Sequence, residues 1–127
     1  KIRDGMPIGT KVYAIRAGVV VALRKDVADN PFGKMGGEDY NFLVIRHEDG
    51  TYAEYEHLTK DGVLVSLGDK VTENDAVALS GNTGETRFPH LHVMVFVNES
   101  GTKRRSLPIS FKEESLLPGP VPRQGTE

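Results

Sequence analysis

The stretch that decides the fold is NFLVIRHEDGTYAEYEHL, residues Asn41–Leu58. It contains two strand-like runs, and the dipeptide Asp49-Gly50 lies between them. Asp-Gly flanked by such runs is a strong signal for a tight β-hairpin turn. The second run alternates as the two faces of a strand do, with Tyr52, Glu54 and Glu56 on one face and Ala53, Tyr55 and His57 on the other. The sequence therefore predicts an antiparallel pair of strands.

Further strand-like segments lie on both sides of this hairpin. Lys11–Arg24 is predicted to form two strands hinged at Ala17-Gly18. Downstream, GVLVSLGDKV, DAVALSGNTG and LHVMVFV follow one another with Gly-containing turns between them. Ser106–Phe111 is predicted to be an edge strand, because Pro108 cannot donate to a ladder. No segment shows a sustained helical period, so the predicted class is all-β, a mostly antiparallel sheet in a small barrel or sandwich-like domain.

Composition excludes several classes of protein. The chain has 127 residues, 14 Gly and 7 Pro, which suits one turn-rich β domain. A net charge of −2 gives no electrostatic case for nucleic acid, and no apolar run is long enough to span a membrane. The absence of Cys excludes thiol catalysis and thiolate metal sites. We assign residues 1–115 to the domain and the Pro-rich residues 116–127 to a C-terminal tail.

The start of the chain also carries an expectation. The sequence begins at Lys1 rather than Met and shows no signal peptide. We therefore expect a processed form or an excised piece of a longer protein.

A His-x-His pair, His90 and His92, stands at the start of an apolar run. In a strand these two side chains share one face, about 6.6 Å apart along the chain. Such a pair can bind a metal, or one imidazole can bind the metal while the other acts on water or substrate. Spacing alone, however, favours ordinary structural or surface histidines.

The surroundings of this pair strengthen the case for a site. The loop SGNTGETRFP leads into the strand, and sites are often built from loops on a rigid scaffold. His57 is predicted to stand where the hairpin arm gives way to a loop. His47 lies next to the hairpin turn, and we expect it to be an exposed turn residue.

Together these segments resemble lysostaphin-like, LytM-type zinc metallopeptidase domains. The elements Tyr-x-His-Leu, Ser-Gly-x-Thr-Gly and Pro-His-Leu-His occur in the family's order and at the expected intervals, within about residues 5 to 112. The resemblance implies a β fold with a groove bordered by loops. It also implies hydrolysis of peptide bonds in bacterial peptidoglycan, and a place in the cell envelope, periplasmic or extracellular.

The resemblance also implies roles for the three histidines of these motifs. His92 would bind zinc, which activates water, and His57 and His90 would be the catalytic imidazoles. The family's other two zinc ligands are a His and an Asp that precede the MPIGT element. The Asp lies four residues before the Pro, and counting back from Pro7 gives Arg3.

An arginine at this position cannot replace the aspartate. Arg3 stays protonated and offers no lone pair to a metal. Asp4 is one residue away, and a local bulge or deletion would bring it into line as a ligand. The expected His would fall before Lys1.

The groove is expected to involve residues that depart from the family pattern. Arg87 and Phe88 replace small residues before the Pro, and they either form a tolerated surface loop or narrow the groove and alter peptide preference. We also expect Tyr55 to contact the substrate. The loop Lys25–Glu38 is either a wall of the groove or a solvated connector.

Three functions remain open at this point. The first is an active zinc endopeptidase, favoured by the intact His57, His90 and His92. The second is a degenerate domain that has lost zinc and binds peptidoglycan peptides or a partner protein to regulate cell-wall hydrolysis, favoured by Arg3. The third is a purely structural β module.

Overall fold

The residues that the computed structural model describes, 6–100 and 103–107, form strands and turns without a helix. Eight strands pair in antiparallel fashion within one sheet, which confirms the predicted all-β class. In chain order they are β1 Lys11–Tyr13, β2 Gly18–Arg24, β3 Asn41–Arg46, β4 Tyr52–Val63, β5 Lys70–Val71, β6 Ala76–Ser80, β7 His92–Ser100 and β8 Lys103–Leu107. In the described ranges no helix is long and apolar enough to cross a membrane.

Strand β4 organises the sheet, because it pairs with β3, β6 and β7. One edge of β4 pairs with β3 from Tyr52 to Leu58. The other edge pairs first with β7, from Tyr52 to Glu56, and then with β6, at Leu58 and Val63. The partner on this edge therefore changes between Glu56 and Leu58, which is the position of His57.

The hairpin that the sequence predicts is present. Strands β3 and β4 pair in register around Asp49-Gly50, and Gly50 has a φ of 89°. The Asp49 carboxylate accepts hydrogen bonds from the backbone N–H of Thr51 at 3.0 Å and from its hydroxyl at 2.7 Å. The predicted hinge at Ala17-Gly18 is also present, since β2 begins at Gly18.

Tyr55 lies in the core instead of the groove, which corrects the expectation that it contacts substrate. Its side chain is fully buried among the apolar residues of the sheet, and its hydroxyl accepts a hydrogen bond from the Ile15 N–H at 2.8 Å. The physical reason is the strand alternation itself, which turns Tyr55 away from the face of Glu54 and Glu56. Burial raises the pKa of Tyr55 to about 12.

His47 is buried, with 2% of its surface exposed, so the expectation of an exposed turn residue was wrong. Its backbone N–H donates to Thr51 O at 2.8 Å, which keeps the residue in the hairpin ladder. Its Nδ1 donates to Ala17 O at 2.9 Å, because the segment before β2 covers this end of the hairpin. These contacts assign His47 a structural role.

The last predicted strand begins earlier than expected. Strand β8 covers Lys103–Leu107, and therefore overlaps the predicted Ser106–Phe111 only at its start. Residues 108–127, which include the predicted tail, lie outside the described residues. Arg3 and Asp4 lie outside them as well.

Candidate metal and catalytic site

His57 occupies a β-bulge in β4. Glu56 pairs with Phe42 and Leu58 pairs with Asn41, so His57 is an extra residue without a partner on β3. Its φ of 64° lies in the left-handed region, which few residues other than glycine adopt, histidine being among those enriched there. In a regular strand Glu56 and His57 would point to opposite faces, but a bulge redirects the side chain. Both side chains therefore reach the same site.

Glu56 and His92 face each other across the β4–β7 pair. The Glu56 Oε1 atom lies 3.1 Å from His92 Nδ1 and 3.9 Å from His57 Nε2. One ligand atom from each of these three residues lies within 4.8 Å of the other two. The carboxylate thus stands between two imidazoles.

The orientation of the His57 ring follows from its contact with the loop that precedes β7. His57 Nδ1 lies 2.7 Å from the Thr83 carbonyl oxygen. Because a carbonyl only accepts, Nδ1 carries a proton and Nε2 of the neutral ring carries the lone pair that faces the site. Burial lowers the pKa of His57, and the hydrogen bond to Thr83 opposes this effect in part. These conditions suit a neutral proton acceptor.

His90 lies two residues before the start of β7 and is held by the same loop. It forms an isolated bridge with Gly81, and its Nδ1 lies 3.0 Å from the Phe88 carbonyl oxygen and 3.1 Å from the Thr86 hydroxyl. Its ring centroid is 4.9 Å from that of His57, and the His57 and His92 centroids are 6.2 Å apart. The structure therefore brings together the three histidines that the sequence singled out.

The loop of Ser80–Gly84 has buried polar side chains that hold His57 in place. The Thr83 hydroxyl accepts a hydrogen bond from the Asn41 N–H at 3.0 Å and donates one to Leu58 O at 2.9 Å. Gly84 has a φ of 91°, and a Cβ there would lie 2.6 Å from Tyr40 Cβ and 3.4 Å from His57 Nδ1. A glycine is required at this position because the backbone passes so close to both side chains.

The segment Lys25–Glu38 packs against the loop that carries Arg87 and Phe88. Asn30 Nδ2 donates to Gly84 O at 2.9 Å and to Thr86 O at 3.0 Å. The Gly33 N–H donates to Arg87 O at 3.0 Å, and the Phe32 and Phe88 rings meet edge to face at 5.1 Å. These contacts favour a wall beside the site over a solvated connector.

Sequence analysis missed the polar residues of the sheet face next to the histidines. Glu54 is buried, its Oε1 accepts a hydrogen bond from Arg104 at 2.8 Å, and its Oε2 accepts one from Tyr40 at 3.1 Å. The Arg104 guanidinium lies 4.0 Å from the centroid of the Phe96 ring. The alternation of Glu54 and Glu56 opposite Tyr55 was the available signal for an acidic face.

The donor set at this site fits zinc. Imidazole nitrogen and carboxylate oxygen are its usual ligands, together with thiolate, which this chain lacks. Among the described residues, Glu56, His57 and His92 form a group whose donor atoms could hold a metal ion. The site is therefore suited to a metal by its chemistry as well as by its geometry.

The chain is similar to known proteins. The sequence pattern that defines peptidase family M23 matches residues 2–104. Peptidoglycan DD-endopeptidase ShyA of Vibrio cholerae is 40% identical over 92 residues, which are 72% of this chain and 19% of that protein. Lysostaphin of Staphylococcus simulans is 33% identical over 107 residues, which are 84% of this chain and 20% of that protein.

Solved structures agree with these relatives. The catalytic domain of lysostaphin from Staphylococcus simulans has a TM-score of 0.58 at 30% identity, with 80% of this chain and 69% of that chain covered. A zinc-containing peptidase from Vibrio cholerae has a TM-score of 0.54 at 37% identity, covering 71% of this chain and 24% of that chain.

The chain belongs to peptidase family M23, and it is a LytM-type peptidase domain. It spans only 18% to 24% of the length of the first curated relatives.

Proposed function

We propose that this chain is a catalytically active, zinc-dependent endopeptidase domain that cleaves peptide bonds of bacterial peptidoglycan. The observation that carries the proposal is that His57 and His92 flank the Glu56 carboxylate, where the sheet partner of β4 changes from β7 to β6, while the His90 ring centroid lies 4.9 Å from that of His57. A zinc-containing peptidase among the solved structures supports the choice of metal, and two peptidoglycan DD-endopeptidases among the relatives support the choice of substrate.

The residues divide into ligands and proton carriers. Of the three ligands that the family pattern implies, His92 is the one within the described part of the chain, and Asp4 with a His upstream of Lys1 would complete that set. When bound, zinc would lower the pKa of water and polarise the scissile carbonyl.

His57 acts as the general base in this proposal. Its neutral Nε2 accepts a proton from the attacking water, while Thr83 holds the ring through Nδ1. His57 would then pass this proton to the departing amine, while His90, held through its own Nδ1 by Phe88 O, would use a protonated Nε2 to donate a hydrogen bond to the developing oxyanion. Both rings are oriented by backbone carbonyls, which reduces the reorganisation needed during the reaction.

The exposed surface beside the histidines would receive the peptide. Phe88 and Phe32 form an apolar edge with 38% and 70% of their surfaces exposed, and Arg87 adds a cation nearby. Such an edge suits an extended peptide that presents both apolar and anionic groups. Because its substrate would be peptidoglycan, we place the protein in the cell envelope, in a periplasmic or extracellular location.

A second candidate function rests on Arg3. If this residue occupies the family's aspartate position and Asp4 does not compensate, the domain would bind peptidoglycan peptides, or a partner protein, without cutting them. It would then regulate other cell-wall hydrolases.

Digestion of purified sacculi separates the two candidates. The zinc-loaded chain is incubated with sacculi, and released muropeptides are identified by mass spectrometry together with new amino termini. Active cleavage that is abolished in His92→Ala supports the first candidate. Binding to sacculi without release of any fragment overturns it in favour of the second.

A further inference from the structure

We propose that Glu56 is a metal ligand in this chain, acting as a pair with His92. The Tyr-x-His-Leu motif leaves this position open, so the family pattern assigns it no role. The inference rests on the proposed zinc-dependent function and specifies how this chain meets its ligand requirement.

The distance between the two side chains fits a shared ion. Two ligands of a tetrahedral zinc, each at about 2.0–2.2 Å from the metal, lie about 3.3–3.6 Å from each other, so a small outward shift of either side chain would admit the ion. Glu56 Oε1 and His92 Nδ1 are 3.1 Å apart. Direct pairing of Glu56 with His92 on adjacent antiparallel strands fixes both backbones, so the two donors are positioned before any metal arrives.

The charge around Glu56 also favours a cation. Its side chain is 14% exposed, and its ion-pair partners among the described residues are the imidazoles of His57 and His92. In contrast Glu54, two residues earlier on the same face, has the permanent cation of Arg104 at 2.8 Å. A largely buried carboxylate needs a compensating charge, and a divalent metal between Glu56 and His92 would supply it.

Glu56 would also account for a metal site in a chain that carries Arg3 at the family's aspartate position. The Glu56 carboxylate on β4 would take the place of the aspartate that the family pattern has before the MPIGT element. Zinc affinity should therefore depend on Glu56 more strongly than on Asp4.

The proposal is tested by measuring the zinc affinity of the 127-residue chain and of its Glu56→Gln variant. The affinity of each is measured by competition with a chromophoric chelator. The amide keeps the shape of the side chain and removes its charge. Loss of an outer-shell partner typically weakens metal binding by about 10- to 100-fold, so we expect loss of this ligand to exceed about 100-fold. The visible spectrum of the cobalt-substituted chain should change as well, because the ligand set changes.

Two control variants distinguish the loss of a metal ligand from the loss of a negative charge elsewhere on the chain. Glu54→Gln removes a negative charge from the same strand face, and Glu73→Gln removes one from an exposed turn. Neither should alter the cobalt spectrum or cause a comparable loss of zinc affinity. Thermal unfolding of each metal-free variant verifies that it is folded.

Glu56→Asp keeps the proposal testable if Glu56→Gln does not fold. This variant retains the charge but withdraws the oxygen by one methylene, so we expect weaker zinc binding and an altered cobalt spectrum. Zinc affinity and spectrum unchanged in either folded variant overturn the ligand role of Glu56 and leave the proposed function standing. Failure of the unaltered chain to bind zinc overturns both.

Discussion

His57 Nδ1 lies 2.7 Å from the carbonyl oxygen of Thr83, a residue that is fully buried. This hydrogen bond joins the bulge of β4 to the loop that leads into β7, and so couples the two chain segments that carry the site histidines. It also determines which nitrogen of His57 faces the site. The proposed base is therefore positioned by the backbone rather than by another side chain.

Replacement of His57 by asparagine should remove the base and preserve the fold. His57→Asn is suited to this test because asparagine tolerates the left-handed backbone, here at a φ of 64°. We expect peptidoglycan cleavage to fall by about 100- to 10,000-fold, the usual contribution of general acid–base catalysis. Zinc content should stay the same. Rates of muropeptide release near those of the unaltered chain, or a loss of zinc, would contradict the assignment.

Gly84→Ala should lower the stability of the chain and displace the His57 ring, because the backbone at Gly84 passes close to that ring. Alanine at a φ of 91° costs about 1–2 kcal/mol, and the new Cβ would press on Tyr40 and on His57 Nδ1, adding about 1–3 kcal/mol. Gly68→Ala is the matched control, because Gly68 has a φ of 88° and open space around it. Urea denaturation should show a larger loss of unfolding free energy for Gly84→Ala, together with reduced cleavage. Equal losses in the two variants would refute the close approach.

The burial of His57 predicts how stability depends on pH. Burial holds the pKa of His57 in the folded chain below its ordinary value of 6.5, so the unfolded chain binds the proton first as the pH falls. The contribution of this group to stability is present above pH 6.5 and is lost as the pH falls toward the folded-state pKa. Urea denaturation of the metal-free chain across this range should show the decline, and His57→Asn should reduce it. An unchanged pH dependence in that variant would argue against a buried neutral ring.

The wall formed by Phe88 and its neighbours predicts a change in peptide preference. The double variant Arg87→Thr and Phe88→Gly removes the cation and the ring that contacts Phe32 at 5.1 Å. We expect altered KM values across a panel of peptidoglycan-derived peptides and unchanged zinc content, because neither side chain belongs to the metal group. Identical binding and cleavage across the panel would eliminate the role of this wall in specificity.

Local sequence signals were sufficient to predict the fold class and to identify the three histidines of the site. Asp49-Gly50 predicted the hairpin because turn chemistry is a property of adjacent residues. The motifs around His57, His90 and His92 predicted a shared site through family resemblance, and the structure brings these side chains together.

Features that depend on distant parts of the chain could not be predicted in this way. Strand alternation placed His57 on the face of Tyr55, and only the pairing of β4 with its neighbours shows the bulge that redirects it. The burial of His47 depends on Ala17, which is 30 residues away in the sequence. Likewise, the partner of Glu54 is Arg104, which is 50 residues away.

Whether the histidine site holds a catalytic metal is tested most directly by the zinc content of the purified chain. The chain is exposed briefly to zinc, desalted and subjected to elemental analysis, alongside His92→Ala. We predict about one zinc per chain, consistent with a single site of this ligand type, and none in the variant. A folded chain that binds sacculi but retains no zinc would contradict the claim.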